Sequence, residues 1–193
     1  MKLNVIFAGV GGQGLILTAG ILMEAASRAG HHVSGSDVYG LAQRGGSVWG
    51  MVRIGNPWFS PLIPQGQADM LVALEQLEGL RWASHLKPAG NVVVSNHWLY
   101  PTPILLEQED YPQDIPGMLT DMGHNVIQVD ALQIARELGN TRLANTVLLG
   151  VLSNHVQIDK QHWLEAIAAQ VPQGTEEPNK KAFLKGKEIK GQQ

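Results

Sequence analysis

The chain contains no cysteine. Disulfides, thiolate nucleophiles and cysteine-held iron–sulfur clusters are therefore excluded within it. The same absence suits a reducing cytoplasm, the compartment expected for the chain. No apolar run reaches the roughly 18 residues that a membrane span needs, so no spanning helix is expected. A basic excess is lacking too: 14 Lys and Arg stand against 17 Asp and Glu, a formal net charge of −3. Neither nucleic acid nor an anionic bilayer gains a general electrostatic reason to bind. The opening Met1-Lys2-Leu3-Asn4 lacks the pattern of a secretory leader and runs straight into the first strand.

Several reaction classes are missing their residues. The seven histidines, at 31, 32, 85, 97, 124, 155 and 162, are scattered, and no His-Glu-x-x-His or related metal spacing occurs. There is no Gly-x-Ser-x-Gly elbow and no Gly-x-x-x-x-Gly-Lys-Ser/Thr phosphate loop. A thiamine diphosphate motif, Gly-Asp-Gly followed by paired asparagines, is also absent. No catalytic residue and no metal ligand is assigned to this chain.

What is present describes an α/β domain. Apolar residues make up 44% of 193, enough for one core. Val5-Ile6-Phe7-Ala8 reads as a buried strand ending in glycine. Over residues 15–29 the period changes: Leu15, Ala19, Leu22, Ala26 and Ala29 recur at steps of three or four, one helix face. Further strands are expected at 32–37 (weakly patterned), 47–54, 69–75, 91–95 and 126–129. Helices are expected at 75–86, 117–123, 131–138, 145–155 and 160–170, with Lys87-Pro88-Ala89-Gly90 stopping the first. Residues 40–46, 56–67 and 97–116 read as loops, the last a proline-rich surface excursion. From about residue 172 the chain reads as a polar, lysine-rich tail with Phe183 and Leu184 as its large apolar anchor. The fold class this predicts is Rossmann-like and three-layered, with a mostly parallel sheet, as one domain over residues 1–193.

Gly9-Val10-Gly11-Gly12-Gln13-Gly14 joins the first strand to the first helix. The spacing suits a backbone turn whose amides approach an anion at the positive end of a helix. A dinucleotide fingerprint adds an acidic residue closing the second strand, about 20 residues on. Asp37 lies near that place, but His31-His32-Val33-Ser34-Gly35-Ser36 is a poor second strand. Two other readings stand beside a dinucleotide: tight strand–helix packing, for which glycine lets backbones approach, and a phosphate-bearing fragment at the helix start.

A second loop, residues 36–47, is dense in functional atoms. Arg44 offers a donor fork for carboxylate or phosphate, Gly45 and Gly46 suit a concave turn of amides, and Ser47 adds a hydroxyl. Strand order places this loop beside the first glycine turn; the competing reading pairs Arg44 with Asp37. Arg53, in an apolar strand, requires a partner, a carboxylate or a subunit boundary. Ser60-Pro61-Leu62-Ile63-Pro64 is rigid and half apolar, either a contact surface or packed on its own domain. Glu75 and Glu78 read as a solvated helix N-terminus rather than as paired acids. The five tryptophans, at 49, 58, 82, 98 and 163, read as core or interface anchors.

In order along the chain, Gly9 to Gly14, Gly40-Leu-Ala-Gln-Arg-Gly-Gly-Ser47, Val52-Arg-Ile-Gly55 and Ser60 to Pro64 with Ala68-Asp69 resemble the gamma subunits or domains of 2-oxoacid:ferredoxin oxidoreductases. Ala42-Gln43-Arg44-Gly45-Gly46 is most similar to the indolepyruvate type, in which this subunit is called beta. Residues 145–150, and Ala182-Phe183 with Gly186, resemble later landmarks of the family. The resemblance implies a subunit of an enzyme that oxidatively decarboxylates a 2-oxoacid to an acyl-CoA and reduces ferredoxin, inactive on its own. Thiamine diphosphate and iron–sulfur clusters are then carried by a catalytic alpha subunit, and CoA is expected in the complex. It also implies that Gly9, Gly11, Gly12, Gln13, Gly14, Arg44, Gly45, Gly46 and Ser47 form a coenzyme- or subunit-facing surface. The alternatives are a free-standing nucleotide- or coenzyme-binding Rossmann-like module, and a scaffold whose glycine turns bind nothing.

Overall fold

The computed structural model describes residues 1–36, 46–55, 60–99 and 111–191. A six-stranded sheet runs through its middle. The strands are β1 (Leu3–Val10), β2 (His32–Gly35), β3 (Ser47–Gly55), β4 (Ala68–Ala73), β5 (Leu86–Ser95) and β6 (Asn125–Val129). Their order is β2-β3-β1-β4-β5-β6. β1, β4, β5 and β6 pair in parallel, whereas β3 is antiparallel to both β1 and β2. The chain therefore turns outward from β1 in one direction through β2 and β3, then in the other through β4 to β6. The switch point lies between β1 and β4.

Alternation along the strands splits the core. Val5, Phe7, Val52, Ile54, Met70, Val72 and Val93 face one side, and Ile6, Ala8, Met51, Leu71, Ala73, Val92 and Val94 the other. The first side is covered by α1 (Leu15–Arg28), α4 (Ala131–Glu137), α5 (Ala144–Leu152), α6 (Lys160–Gln170) and α7 (Glu176–Glu188). The second is covered by α2 (Gln76–Trp82) and α3 (Ile115–Asp121). The three-layer fold and mostly parallel sheet expected from the sequence are present.

Local chemistry explains the element ends. Side chains of Glu75, Asp114 and Asp130 accept amide hydrogen bonds at the N-termini of α2, α3 and α4. α1 instead begins at Gly14, which takes a left-handed φ of 81°. The helical stretch ends at His85, just ahead of Lys87 to Gly90 as expected, and those four residues lie within β5, as a bulge. Ala68 pairs with Leu86 but Met70 with Asn91, so the extra residues loop out, Ala89 at φ 56°. Pro88 is tolerated there because a bulged residue owes no ladder hydrogen bond.

Two other readings change. The polar stretch from residue 172 contains a 13-residue helix, α7, whose Phe183 is wholly buried and stacks 5.5 Å from Trp163. Leu184 does not anchor it, being 36% exposed. Glu75 and Glu78 are not solvated, with 1% and 2% exposure. Arg53 finds Asn4 Oδ1 and the carbonyls of Ser60 and Leu62, at 3.1–3.2 Å, so the Ser60 to Pro64 segment is tied to its own domain. Ile63 there is buried and Leu62 exposed. Trp49 and Trp82 pair at 4.5 Å on the α2 side, and Trp98 is exposed; Trp58 lies outside the described residues.

Candidate functional site

The glycine turn sits at the carboxyl end of β1, at the switch point where open α/β sheets offer a crevice. Each of its residues has a distinct task. A Cβ on Gly9 would lie 2.7 Å from Gln13 Oε1 and 3.1 Å from Leu74 Cβ, so strand and turn meet too closely for any side chain. The Gly11 amide donates to the Gly46 carbonyl at 2.9 Å, which places the end of the second loop against the first, as strand order suggested. Gly12, at φ 99°, has open space where a Cβ would stand. Gly14 combines its positive φ with a close approach to the Asn145 amide.

Gln13 stitches the switch point. Its Oε1 accepts from the Val10 amide at 2.7 Å, and its Nε2 donates to the Leu74 carbonyl at 3.1 Å. The Leu74 amide already donates to Ala8 O at 2.8 Å. The side-chain amide thus adds a rung to the β1–β4 ladder.

Beside the turn, on the α1 and α5 side, opens a cleft of ≈ 450 Å³. Gly12, Gly14 and Leu17 form one rim; Leu74, Ser95 and His97 form another; Arg142, Asn145 and Leu148 stand opposite. Among the described residues no Asp or Glu lines it. Several donors in it are free. The Gly12 and Gly14 amides meet no acceptor among the described residues, and neither does the exposed Arg142 guanidinium. Ser95 is 3% exposed; its Oγ accepts from the His97 amide at 3.2 Å, which leaves its proton to donate.

Asn145 is held by a buried relay. Its Nδ2 donates to Gly14 O at 3.3 Å, and its Oδ1 accepts from the Thr146 amide at 2.7 Å. The Thr146 hydroxyl donates to Asn179 Oδ1 at 2.8 Å, and Asn179 Nδ2 donates to Thr175 O at 2.9 Å. Asn145, Thr146 and Asn179 are 5%, 1% and 6% exposed, so the relay is rigid and fixes which amide face Asn145 shows the cleft. One Nδ2 proton remains for a ligand. Among the described residues, free donors, one guanidinium, no carboxylate and five leucines (17, 74, 132, 143 and 148) make a wall for an anion with an apolar companion.

Of the residues singled out in the sequence, Gly11, Gly12, Gln13, Gly14 and Gly46 are brought together here. Gly9 and Gln13 are absorbed by packing and by the sheet. The Ser47 hydroxyl points to Glu78 Oε2, 2.5 Å away. Arg44, Gly45 and Asp37 lie outside the described residues. Sequence reasoning missed Asn145, Arg142, Ser95 and His97 as cleft residues. The only prior signal was the recognised stretch 145–150; the others reach the cleft through loop geometry that no local pattern announces. Among the described residues no group of three His, Asp or Glu side chains is placed to hold a metal, and with no cysteine the chain does not fit an iron–sulfur cluster.

Comparison with known proteins converges on one family. Residues 4–189 match pyruvate ferredoxin/flavodoxin oxidoreductase. The chain is 37% identical over 190 residues to indolepyruvate oxidoreductase subunit IorB of Archaeoglobus fulgidus, covering 96% of this chain and 94% of that one. Its structure resembles the keto/oxoacid ferredoxin oxidoreductase gamma subunit of Geobacter sulfurreducens, with a TM-score of 0.71, 28% identity and 96% of each chain covered. It also shares its fold, with a TM-score of 0.75 and 24% identity, with part of the 2-oxoglutarate:ferredoxin oxidoreductase of Magnetococcus marinus. That protein was solved with 2-oxoglutarate, coenzyme A and succinyl-CoA bound; 97% of this chain and 30% of that one are covered. The chain belongs to the pyruvate ferredoxin/flavodoxin oxidoreductase family and has the fold of its gamma subunits.

Proposed function

We propose that this chain is a non-catalytic subunit of a complex that oxidatively decarboxylates a 2-oxoacid of the indolepyruvate or aryl-pyruvate type to an acyl-CoA and passes the electrons to ferredoxin. The observation that carries the proposal is the near full-length similarity to an indolepyruvate oxidoreductase subunit in a chain with no cysteine. Thiamine diphosphate and the iron–sulfur clusters then belong to a catalytic alpha subunit, since this chain's residues do not supply their ligands. In that complex the cleft beside Gly12 and Gly14 receives a phosphate-bearing end of coenzyme A. Arg142 and the turn amides neutralise charge, and the leucines pack its apolar part. The lining supports this reading, with free donors and, among the described residues, no acidic side chain.

The test is reconstitution. The purified chain alone is expected to oxidise no indolepyruvate, and the complex with its catalytic subunit to reduce ferredoxin when indolepyruvate and coenzyme A are supplied. Turnover by the isolated chain would overturn the division of labour. In the complex, Arg142→Ala should raise KM for coenzyme A about tenfold with kcat little changed, as loss of a charge-assisted contact predicts. An unchanged KM would favour a scaffold whose turn binds nothing.

A further inference from the structure

Two buried carboxylates lie outside the cleft yet fasten both of its rims. Glu75 follows Leu74, the residue that Gln13 grips. Its Oε1 accepts from the Leu99 amide at 3.2 Å and the Tyr111 hydroxyl at 2.6 Å, and its Oε2 from the Glu78 amide at 2.9 Å. Gln76 continues the attachment, its amide donating to His97 O and its Nε2 to Asn96 O, both at 3.2 Å. The Ser95–His97 rim is thereby held from the far side of the sheet. Glu78 holds the other rim. Its Oε2 accepts from the Ser47 hydroxyl at 2.5 Å and its Oε1 from Arg81 at 2.6 Å. Ser47 adjoins Gly46, whose carbonyl takes the Gly11 amide of the glycine turn.

Among the described residues, the five contacts to the two carboxylates come from two backbone amides, two hydroxyls and a guanidinium. Charge-assisted hydrogen bonds of this kind are the strong ones. A plain helix start needs just the Glu75–Glu78 cap, which leaves Leu99, Tyr111 and Ser47 unexplained.

We propose that Glu75 and Glu78 are positioning residues for the cleft, one setting the His97 rim and the other the glycine-turn rim. The inference rests on the cleft being the coenzyme-facing site. Glu75→Gln keeps an oxygen for the Glu78 amide, so α2 stays capped, but turns an NH2 toward the Leu99 N–H. Glu78→Gln likewise spoils either the Ser47 or the Arg81 contact.

The experiment has two arms. In hydrogen–deuterium exchange of the full-length chain, Glu75→Gln and Tyr111→Phe should speed exchange in residues 95–99 by about tenfold or more, and Glu78→Gln and Ser47→Ala should do so in residues 10–14. In the reconstituted complex the same variants should raise KM for coenzyme A about fivefold while kcat and KM for the 2-oxoacid move less than about twofold. Ser47→Thr, which keeps a hydroxyl, should restore the native value. Unchanged exchange at both rims overturns the proposal, as does loosened exchange with native KM for coenzyme A in a complex where Arg142→Ala raises it. If Arg142→Ala leaves that KM unchanged, the cleft reading fails by itself, and faster rim exchange would then support the clamp alone.

Discussion

At the scale of single residues, Gln13 is the least replaceable member of the glycine turn. Substituting it by leucine leaves the Val10 amide and the Leu74 carbonyl without their partner at the carboxyl ends of two central strands. Each unmet buried group costs about 1–3 kcal/mol. Gln13→Leu should therefore destabilise the chain by about 2–4 kcal/mol, measured by urea unfolding with an unchanged m-value; a loss under about 0.5 kcal/mol would mean that solvent replaces the amide freely. The spacing of Gly9, Gly11 and Gly14 made the turn legible in the sequence, because glycine there answers to backbone geometry. Gln13 was legible only as part of a family string, since nothing in a residue's identity says that its side chain will imitate a strand. Glu75 and Glu78 were misread for a related reason. Local sequence shows two acids at a helix start, but burial comes from residues 46–47, 97–99 and 111, all remote along the chain.

At the scale of elements, α5 and α7 cross so closely that their backbones touch. A Cβ on Gly150 would collide with the Phe183 carbonyl, and one on Gly186 with the Val147 carbonyl. No rotamer change relieves a clash with backbone, so the helices would have to separate and strip contacts from Trp163 and Phe183. Gly186→Ala should cost about 3 kcal/mol or more, beyond the usual range for overpacking and despite alanine's better helix propensity. A neutral or stabilising result in thermal or urea unfolding would show that the crossing is looser than described. α7 was missed in the sequence because its buried face is Asn179, Ala182, Phe183 and Gly186, a stripe with one large apolar residue. Hydrophobic periodicity cannot register a face built from a hydrogen-bonded amide and a bare backbone. The expected helices at 131–138, 145–155 and 160–170 carry ordinary apolar faces and lie where the pattern put them, within a few residues.

At the scale of the whole molecule, the strands were legible, and so was the nearness of the second loop to the first, but the antiparallel insertion of β3 was not. Nothing local says that β3 will insert between β2 and β1 in the opposite direction, yet that insertion brings Gly46 to the glycine turn. A global property also follows from three scattered histidines. Burial lowers the pKa of His85, His124 and His155 below 6.5. The unfolded chain therefore takes up protons first as pH falls, so their contribution to stability is complete above about pH 6.5 and lost progressively beneath it. The urea midpoint should be flat from pH 8 to about 7 and decline toward about pH 5, above the range where most carboxylates titrate. Replacing the three histidines by glutamine should flatten that decline; a midpoint that rises on acidification would contradict the assignment.

Gln13 has a consequence for how such chains are interpreted from their letters. A glycine-rich opening of this spacing invites the label of nicotinamide or flavin carrier. In this protein the carboxamide among those glycines is bonded to the Val10 amide and the Leu74 carbonyl, and so belongs to the sheet. Glutamine just ahead of the final glycine thus works as a punctuation mark. It marks a turn whose side chain is spent on joining two strands, so a glycine spacing of this kind is no evidence by itself for a redox dinucleotide.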